Sequence, residues 1–287
     1  MTIRRSLVFL LLFFSSLTVH GQMTANVYER VLLVRVGGNG PSAETSTAFT
    51  VEVDGRQYLL TAKHVVAKLA PSDFIEYAKA GKWVRLPVQI LRCDDPTDIA
   101  VLVAPYQLTT TFEFPLDTSR IAYGQDVYFL GFPYGITLNG TNVNGTLPLP
   151  FIKRATYSGT FPLNAAKHSV LILLDGYNNP GFSGGPIVYK NPSSQGLVYR
   201  LVGVVSGFQP EVADVMKKRP IKSREEASTQ AKEQPWRIST SPDGSLFEYS
   251  ETGNYVALNT GIVRGFAVFP AIELIHDHPT GPKIDVK

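Results

Sequence analysis

The chain has 287 residues, 44% of them hydrophobic and 18% charged, which fits one large or two small globular domains and excludes a disordered chain. Its 27 Lys and Arg nearly balance 24 Asp and Glu, leaving +3, a balance that gives no basic footprint for a nucleic-acid partner. One cysteine, Cys93, rules out an internal disulfide framework. At the N-terminus Arg4 and Arg5 precede eight apolar residues, Leu7 to Phe14, and a small, polar stretch with Val19 and Gly21 at −3 and −1 comes next. This reads as a secretory signal peptide over residues 1–21, cut before Gln22. The rival reading, a retained membrane anchor, needs about 20 apolar residues, so no membrane association is expected after cleavage. The remaining chain carries 25 basic against 24 acidic residues. Export without disulfides points to a secreted or periplasmic bacterial protein.

Period-two alternation dominates the first half of the chain. Ala48–Val53 and Arg56–Thr61 read as strands joined at Asp54-Gly55 by a type I′ turn, which delivers His64 to a strand end. Further strands are expected at 31–36, 84–92, 99–103, 126–130, 170–174, 186–189, 199–206, 256–259 and 265–268. Helices are expected only as one turn after His64, over 72–80, over 211–218, and from Pro270 to His276, where a proline opens the segment. Many short strands with Gly and Pro turns predict an all-β architecture. Cys93, at the end of the strand Val84–Arg92, reads as a small core residue. A linker rich in Thr and turn residues spans 105–124. Two stretches read as additions: the turn-rich loop 139–150, with two Asn-x-Thr sequons, and the segment 209–250, whose mixed Lys, Arg and Glu predict a solvated surface in preference to a recruited partner site.

The chemistry concentrates in three places. Asn179-Pro180-Gly181-Phe182-Ser183-Gly184-Gly185-Pro186 sets a serine among glycines that permit a sharp turn and expose backbone N–H groups. That suits a nucleophile beside an oxyanion pocket, with the N–H groups of Gly181 and Ser183 as donors. Serine needs a base and the base an anchor, and upstream lie Thr61-Ala62-Lys63-His64 and Asp94-Asp95-Pro96-Thr97-Asp98-Ile99-Ala100.

The order His64, Asp98, Ser183 and these surroundings resemble the trypsin-like serine proteases. The resemblance implies an all-β chymotrypsin-like fold of two antiparallel β-barrels with a short C-terminal helix. The N-terminal barrel would span 28–115, the C-terminal barrel 116–276 with its insertion at 209–250, and a tail 277–287. It selects Asp98 over Asp94 and Asp95, because Asp98-Ile99-Ala100 matches the family context. Ser206, in Gly203-Val204-Val205-Ser206-Gly207, matches the position that supports this aspartate and borders the substrate. Tyr177 occupies the family position at the base of the specificity pocket, with Gly207 and Phe208 on the opposite wall, which disfavours cleavage after Arg or Lys. Phe182 departs from digestive trypsins, which carry there the aspartate of their activation salt bridge.

Asp175 to Pro186, Asn259-Thr260-Gly261 and Gly265 to Pro270 resemble more closely the bacterial HtrA-like branch. About a dozen residues remain after them, too few for its PDZ-type peptide-binding domain. The resemblance implies a serine endopeptidase acting on a protein or peptide, with no metal or organic cofactor. Two rivals remain. Gly181 to Gly185 also satisfies an esterase Gly-x-Ser-x-Gly elbow, with Asp214 or Asp243 and His276 as partners, although strand-like Pro186 to Tyr189 stands where that elbow needs a helix. The other is a catalytically inactive trypsin-like module that binds a protein partner through its cleft or through 209–250.

Overall fold

The computed structural model describes residues 23–38, 43–112, 114–117, 121–138, 146–190 and 199–285. The expected signal peptide, and most of the loop 139–150 with its sequons, lie outside them. A single helical turn, α1 (Ala25–Tyr28), leads into six strands: β1 (Val31–Val36), β2 (Glu44–Val53), β3 (Arg56–Thr61), β4 (Ser72–Lys79), β5 (Lys82–Arg92) and β6 (Ala100–Val103). They close antiparallel into a barrel in the order β1-β2-β3-β6-β5-β4. The β2–β3 turn has positive φ at Asp54 and Gly55, as type I′ requires.

Period two explains both faces of this barrel. Leu32, Val34, Ala48, Leu59, Ile75, Leu86, Val88 and Leu102 fill one cluster, while their neighbours Val31, Leu33, Phe49, Leu60 and Val101 fill another. The second cluster also holds Leu130, Phe132, Val204 and Phe266 from the second half of the chain, and Ala271 and Ile275 from the terminal helix α3 (Phe269–Asp277). The first barrel thus buries apolar surface on both sides, one inward and one against the second barrel.

That second barrel is built by β7 (Asp126–Gly131), β8 (Phe151–Asn164), β9 (Ser169–Asp175), β10 (Pro186–Lys190), β11 (Tyr199–Ile221) and β13 (Leu246–Ala267), with β12 (Ile238–Thr240) added on the far end of β13. The ladder runs β11-β10-β7-β8-β9-β13, and β13 pairs back onto β11, so each of the six has a partner on both sides. Val127, Phe129, Ile172, Leu174, Ile187, Val202 and Val263 line its interior. The two-barrel, chymotrypsin-like expectation is met. The linking stretch is tied to both halves: Leu116 bridges Leu201, and Thr109 bonds Gln57 through backbone and side chain.

Two expected helices are strands. Residues 72–79 form β4, because Ile75 and Tyr77 alternate into the core while Ala80 and Gly81, both at positive φ, turn the chain into β5. Residues 211–218 lie within β11, where pairing with β13, broken only by a bulge between Asp214 and Met216, overrides local helix preference. Beyond the barrel these two strands run on as a ribbon from Gly207↔Arg264 to Ile221↔Leu246. Its tip is a small packed unit. Ile221, Ala227 and Ala231 form a core with Ile238 and Leu246, closed by the short helix α2 (Thr229–Glu233) and by the ion pairs Arg219–Glu248 and Arg237–Glu251. The segment 209–250 is therefore an ordered arm. The tail returns to the first barrel, where Gln57 N donates to Pro282 O and Ile284 N to Gly55 O.

Cys93 is buried and unpaired, and burial pushes its thiol up to about 12. Native protein should therefore resist alkylation at neutral pH and become reactive on unfolding, as a thiol titration with and without denaturant would show.

Candidate functional site at the barrel seam

β3 ends at the buried Thr61, and a 3-10 turn over Lys63–Val66 presents His64 at the seam between barrels. Asp98 stands just ahead of β6 and meets that turn three ways. Its carbonyl accepts from Lys63 N (3.3 Å), Oδ1 accepts from His64 N (2.9 Å), and Oδ2 lies 2.7 Å from His64 Nδ1. Ser206, on β11, donates its hydroxyl to the same Oδ2 at 2.6 Å. Burial opposes the Asp98 charge, but the bonds from His64 and Ser206 outweigh it and hold the carboxyl below its ordinary range. An ionised Asp98 accepts from His64 Nδ1–H, so in the neutral tautomer of the ring Nε2 carries the lone pair. The His64 side chain is 51% exposed and that of Asp98 18%, so the base faces solvent and its anchor does not.

The other two aspartates of that stretch are engaged elsewhere. Asp94 pairs with Lys167 at 2.8 Å, and Asp95, almost fully exposed, pairs with Lys63 at 2.6 Å. Ser183 comes from the loop between β9 and β10. Its Oγ donates to the Ser206 carbonyl at 3.0 Å, so Ser183, Ser206, Asp98 and His64 form one connected chain of contacts. The serine hydroxyl is bonded to Ser206 and not to the imidazole.

The loop around Ser183 is held carbonyl by carbonyl. Pro180 O accepts from Tyr134 N (2.8 Å), Gly181 O from Thr47 Oγ1 (2.7 Å) and Phe182 O from Gly185 N (2.9 Å). Ser183 O accepts from Thr47 N (3.0 Å) and Ser46 Oγ (2.7 Å). The N–H groups of Gly181 and Ser183 donate to no acceptor among the described residues. In a trans peptide N–H points opposite to C=O, so each of these two amides faces away from the partner that holds its carbonyl.

Glycine is required at 184, whose φ is +85°. A Cβ there would lie 2.1 Å from Thr47 O and 2.3 Å from Thr61 Oγ1. Gly184→Ala should cost about 3 kcal/mol or more, or prevent folding, as equilibrium denaturation would register.

Phe182 is fully buried in the second barrel, edge-on to Phe129 at 5.1 Å between centroids. The loop is therefore anchored by apolar burial where digestive trypsins use an ion pair. Lys153, on β8, donates to Tyr177 O (2.6 Å) and Asn179 Oδ1, and burial lowers its pKa. The Tyr177 ring lies over this ammonium, 5.4 Å from centroid, and is 58% exposed. It is thus turned outward and does not form a buried pocket floor. Gly207 and Phe208 continue β11 past Ser206, and a Cβ at Gly207 would meet nothing within 4 Å, so that wall is open.

The esterase arrangement finds no geometric support. Ser183 leads into strand β10, His276 pairs with Asp54 at the outside of the first barrel, and Asp243 accepts from Ser245 N. Among the described residues no group of three or more His, Cys, Asp or Glu is placed to hold a metal ion. Thr47, Tyr134 and Lys153 had no signature in the sequence: a buried strand threonine, a turn tyrosine and a strand lysine are ordinary until the second barrel is placed against them.

The two-barrel fold is of the chymotrypsin-like class. The chain matches the trypsin-like peptidase domain family over residues 46–196, more than half its length, and belongs to that family. Among solved structures it is similar to the HtrA-type protease AlgW with tripeptide, at 19% identity and a TM-score of 0.50, covering 88% of this chain and 61% of that one. A variant of AlgW with tripeptide gives 19% identity, a TM-score of 0.51, and coverage of 89% and 62%. The chain thus spans about three-fifths of the length of these structures, and at that identity the likeness is one of fold.

Proposed function

We propose that the protein hydrolyses peptide bonds through an acyl-enzyme on Ser183, with His64 as general base and Asp98 as its anchor. The observation that carries this reading is the contact chain His64–Asp98–Ser206–Ser183, with an ionised carboxylate fixing the imidazole tautomer. The free N–H groups of Gly181 and Ser183 complete it as donors to a developing oxyanion.

A substrate amide that takes over the Ser206 carbonyl would release Ser183 Oγ, which then rotates about χ1 toward His64 Nε2. Nε2 removes the hydroxyl proton as Oγ attacks the scissile carbonyl, and the negative oxygen settles on the two N–H groups. The imidazolium returns the proton to the leaving amine, the C–N bond breaks, and water hydrolyses the ester by the same route in reverse. The carboxylate of Asp98 stabilises the imidazolium throughout.

The substrate side chain accepted at Tyr177, Gly207 and Phe208 is small or apolar. The Lys153 ammonium beside Tyr177 adds like-charge repulsion against Lys or Arg. The signal at residues 1–21 would place the enzyme outside the cytoplasm.

The test is covalent labelling with a fluorophosphonate probe. Wild type should label, and Ser183→Ala should not. Label that persists in Ser183→Ala would move the nucleophile elsewhere. Absence of label in folded wild type would favour the inactive binding module, a reading supported by the bond of Ser183 Oγ to Ser206 instead of to His64.

A further inference from the structure

Hydrolysis as proposed needs two N–H groups on a loop of the second barrel to stay aimed at one point while the base sits on the first. A seam between barrels separates them, and Thr47 bonds across it to the loop that carries both donors. We infer that Thr47, in the middle of β2, is a positioning residue that holds the oxyanion donors of Gly181 and Ser183 in register with His64. This inference rests on the hydrolase reading and adds to it a residue that never touches substrate.

Thr47 is fully buried and every polar atom it carries is used across or along the seam. Its N–H donates to Ser183 O at 3.0 Å, and its hydroxyl donates to Gly181 O at 2.7 Å. These two carbonyls flank Phe182, so Thr47 fixes the peptide planes on the C-terminal side of both donor residues. The same hydroxyl accepts from Phe132 N at 3.1 Å. Phe132 opens the turn whose Tyr134 N–H holds Pro180 O, the carbonyl of the very peptide that carries the Gly181 N–H. One oxygen thus joins the nucleophile loop to the turn that orients its first donor. Gly181, at φ +101°, packs so closely on this turn that a Cβ would lie 2.2 Å from Phe132 O, leaving the peptide no room to settle elsewhere without moving the turn.

The other end of Thr47 reaches the base. Its carbonyl accepts from Thr61 Oγ1 at 2.8 Å, and Thr61 is the last residue of the strand that ends three positions before His64. Both the base and the donors are therefore referenced to one backbone position on the first barrel. Ser46 Oγ adds a second bond to Ser183 O, so that carbonyl stays bonded without Thr47. The Gly181 carbonyl has only the Thr47 hydroxyl among the described residues, and the Gly181 donor is the one that should be lost first.

The experiment compares Thr47→Val, which keeps the shape and removes the hydroxyl, with Thr47→Ser, which keeps the hydroxyl. On a peptide substrate Thr47→Val should lower kcat by about ten- to a hundredfold with KM within about threefold, the signature of misplaced transition-state contacts. The rate of fluorophosphonate labelling should fall in parallel, and Thr47→Ser should stay within about threefold of wild type in both. A purely structural threonine would lower the melting temperature of Thr47→Val while the folded fraction turned over at the wild-type rate, and that result overturns the inference. Should Thr47→Val not fold, Thr47→Cys, a weak donor of similar size, takes its place, and equal labelling rates for the Cys and Ser variants would overturn it. Wild type that takes no label at all sinks the hydrolase reading itself, and Thr47 as a positioning residue with it. Wild type that labels no faster than Thr47→Val removes only the role of Thr47.

Discussion

Replacing His64 by alanine should lower kcat/KM on a peptide substrate by about 10⁴- to 10⁶-fold and leave the melting temperature nearly unchanged. The size reflects what the imidazole supplies. A serine hydroxyl is almost entirely protonated at neutral pH, and without a base the proton has no acceptor better than water. Ser183→Ala should lose as much, and the double variant little more, because nucleophile and base act as one unit and the residual rate comes from the oxyanion donors and binding. Stability should hold because neither side chain supports the core. That of His64 is half exposed, and Ser183 Oγ makes one bond, to Ser206 O. Thermal melts run beside steady-state kinetics would separate the two quantities. If both variants kept more than about a tenth of wild-type activity, the base and nucleophile would have to be sought elsewhere.

The residues that carry the proposed chemistry were legible because each sits in a short local pattern. His64 comes after an alternating strand with an Asp-Gly turn, Asp98 precedes an apolar strand, and Ser183 lies among glycines that only a cramped turn requires. Strands β1, β2, β3 and β6 were equally plain, since both their faces are buried and read as apolar, and β5 shows clean alternation, whereas the half-exposed β4 reads as a helix in sequence. β8 was not. Its inward positions begin with Phe151, Lys153 and Ala155, and a lysine in that row erases the period-two signal. Lys153 is there to bond the Tyr177 carbonyl and Asn179, a contact between segments 24 and 26 residues apart.

The arm was hidden for a related reason. In the ribbon Val212 faces solvent at 67% exposure and Tyr255 at 70%, so its strands lack the apolar-in, polar-out alternation that marks a barrel strand. The mixed charge at its tip reads as a solvated surface, and Lys217, Lys218 and Lys222 are exposed there, but the ion pairs Arg219–Glu248 and Arg237–Glu251 that order the tip have no local signature. What holds the arm is pairing between strands about 40 residues apart in sequence, which no window of a dozen residues contains. The Tyr177 ring is the comparable case at the site: its position in the motif was readable, its outward direction was set by Lys153.

Asp98→Asn should cost about 10⁴-fold in kcat with the fold retained, and the count of hydrogen-bond donors says why. Three donors converge on the Asp98 carboxylate: His64 N–H on Oδ1, and His64 Nδ1–H with Ser206 O–H on Oδ2. Asparagine offers an acceptor oxygen at only one of the two positions and a donor nitrogen at the other. If its amide nitrogen takes the Oδ2 position, the His64 ring must move its proton to Nε2, and the lone pair that would accept from Ser183 is gone. If it takes the Oδ1 position, two N–H groups face each other at the backbone of His64. The second arrangement is disfavoured by that clash, so the first prevails and the base is held in the wrong tautomer, as in the trypsin-type triad from which this magnitude is taken. The depressed carboxyl supplies a second measurement. Because the folded pKa of Asp98 lies below its unfolded value of about 4, the stability it contributes is complete above that value and is lost as pH falls through the lower, folded one. Wild type should therefore lose stability more steeply than Asp98→Asn as pH drops below about 4. Parallel curves in that window would mean that Asp98 gains nothing from His64 and Ser206, and with that the assignment of the anchor would fail.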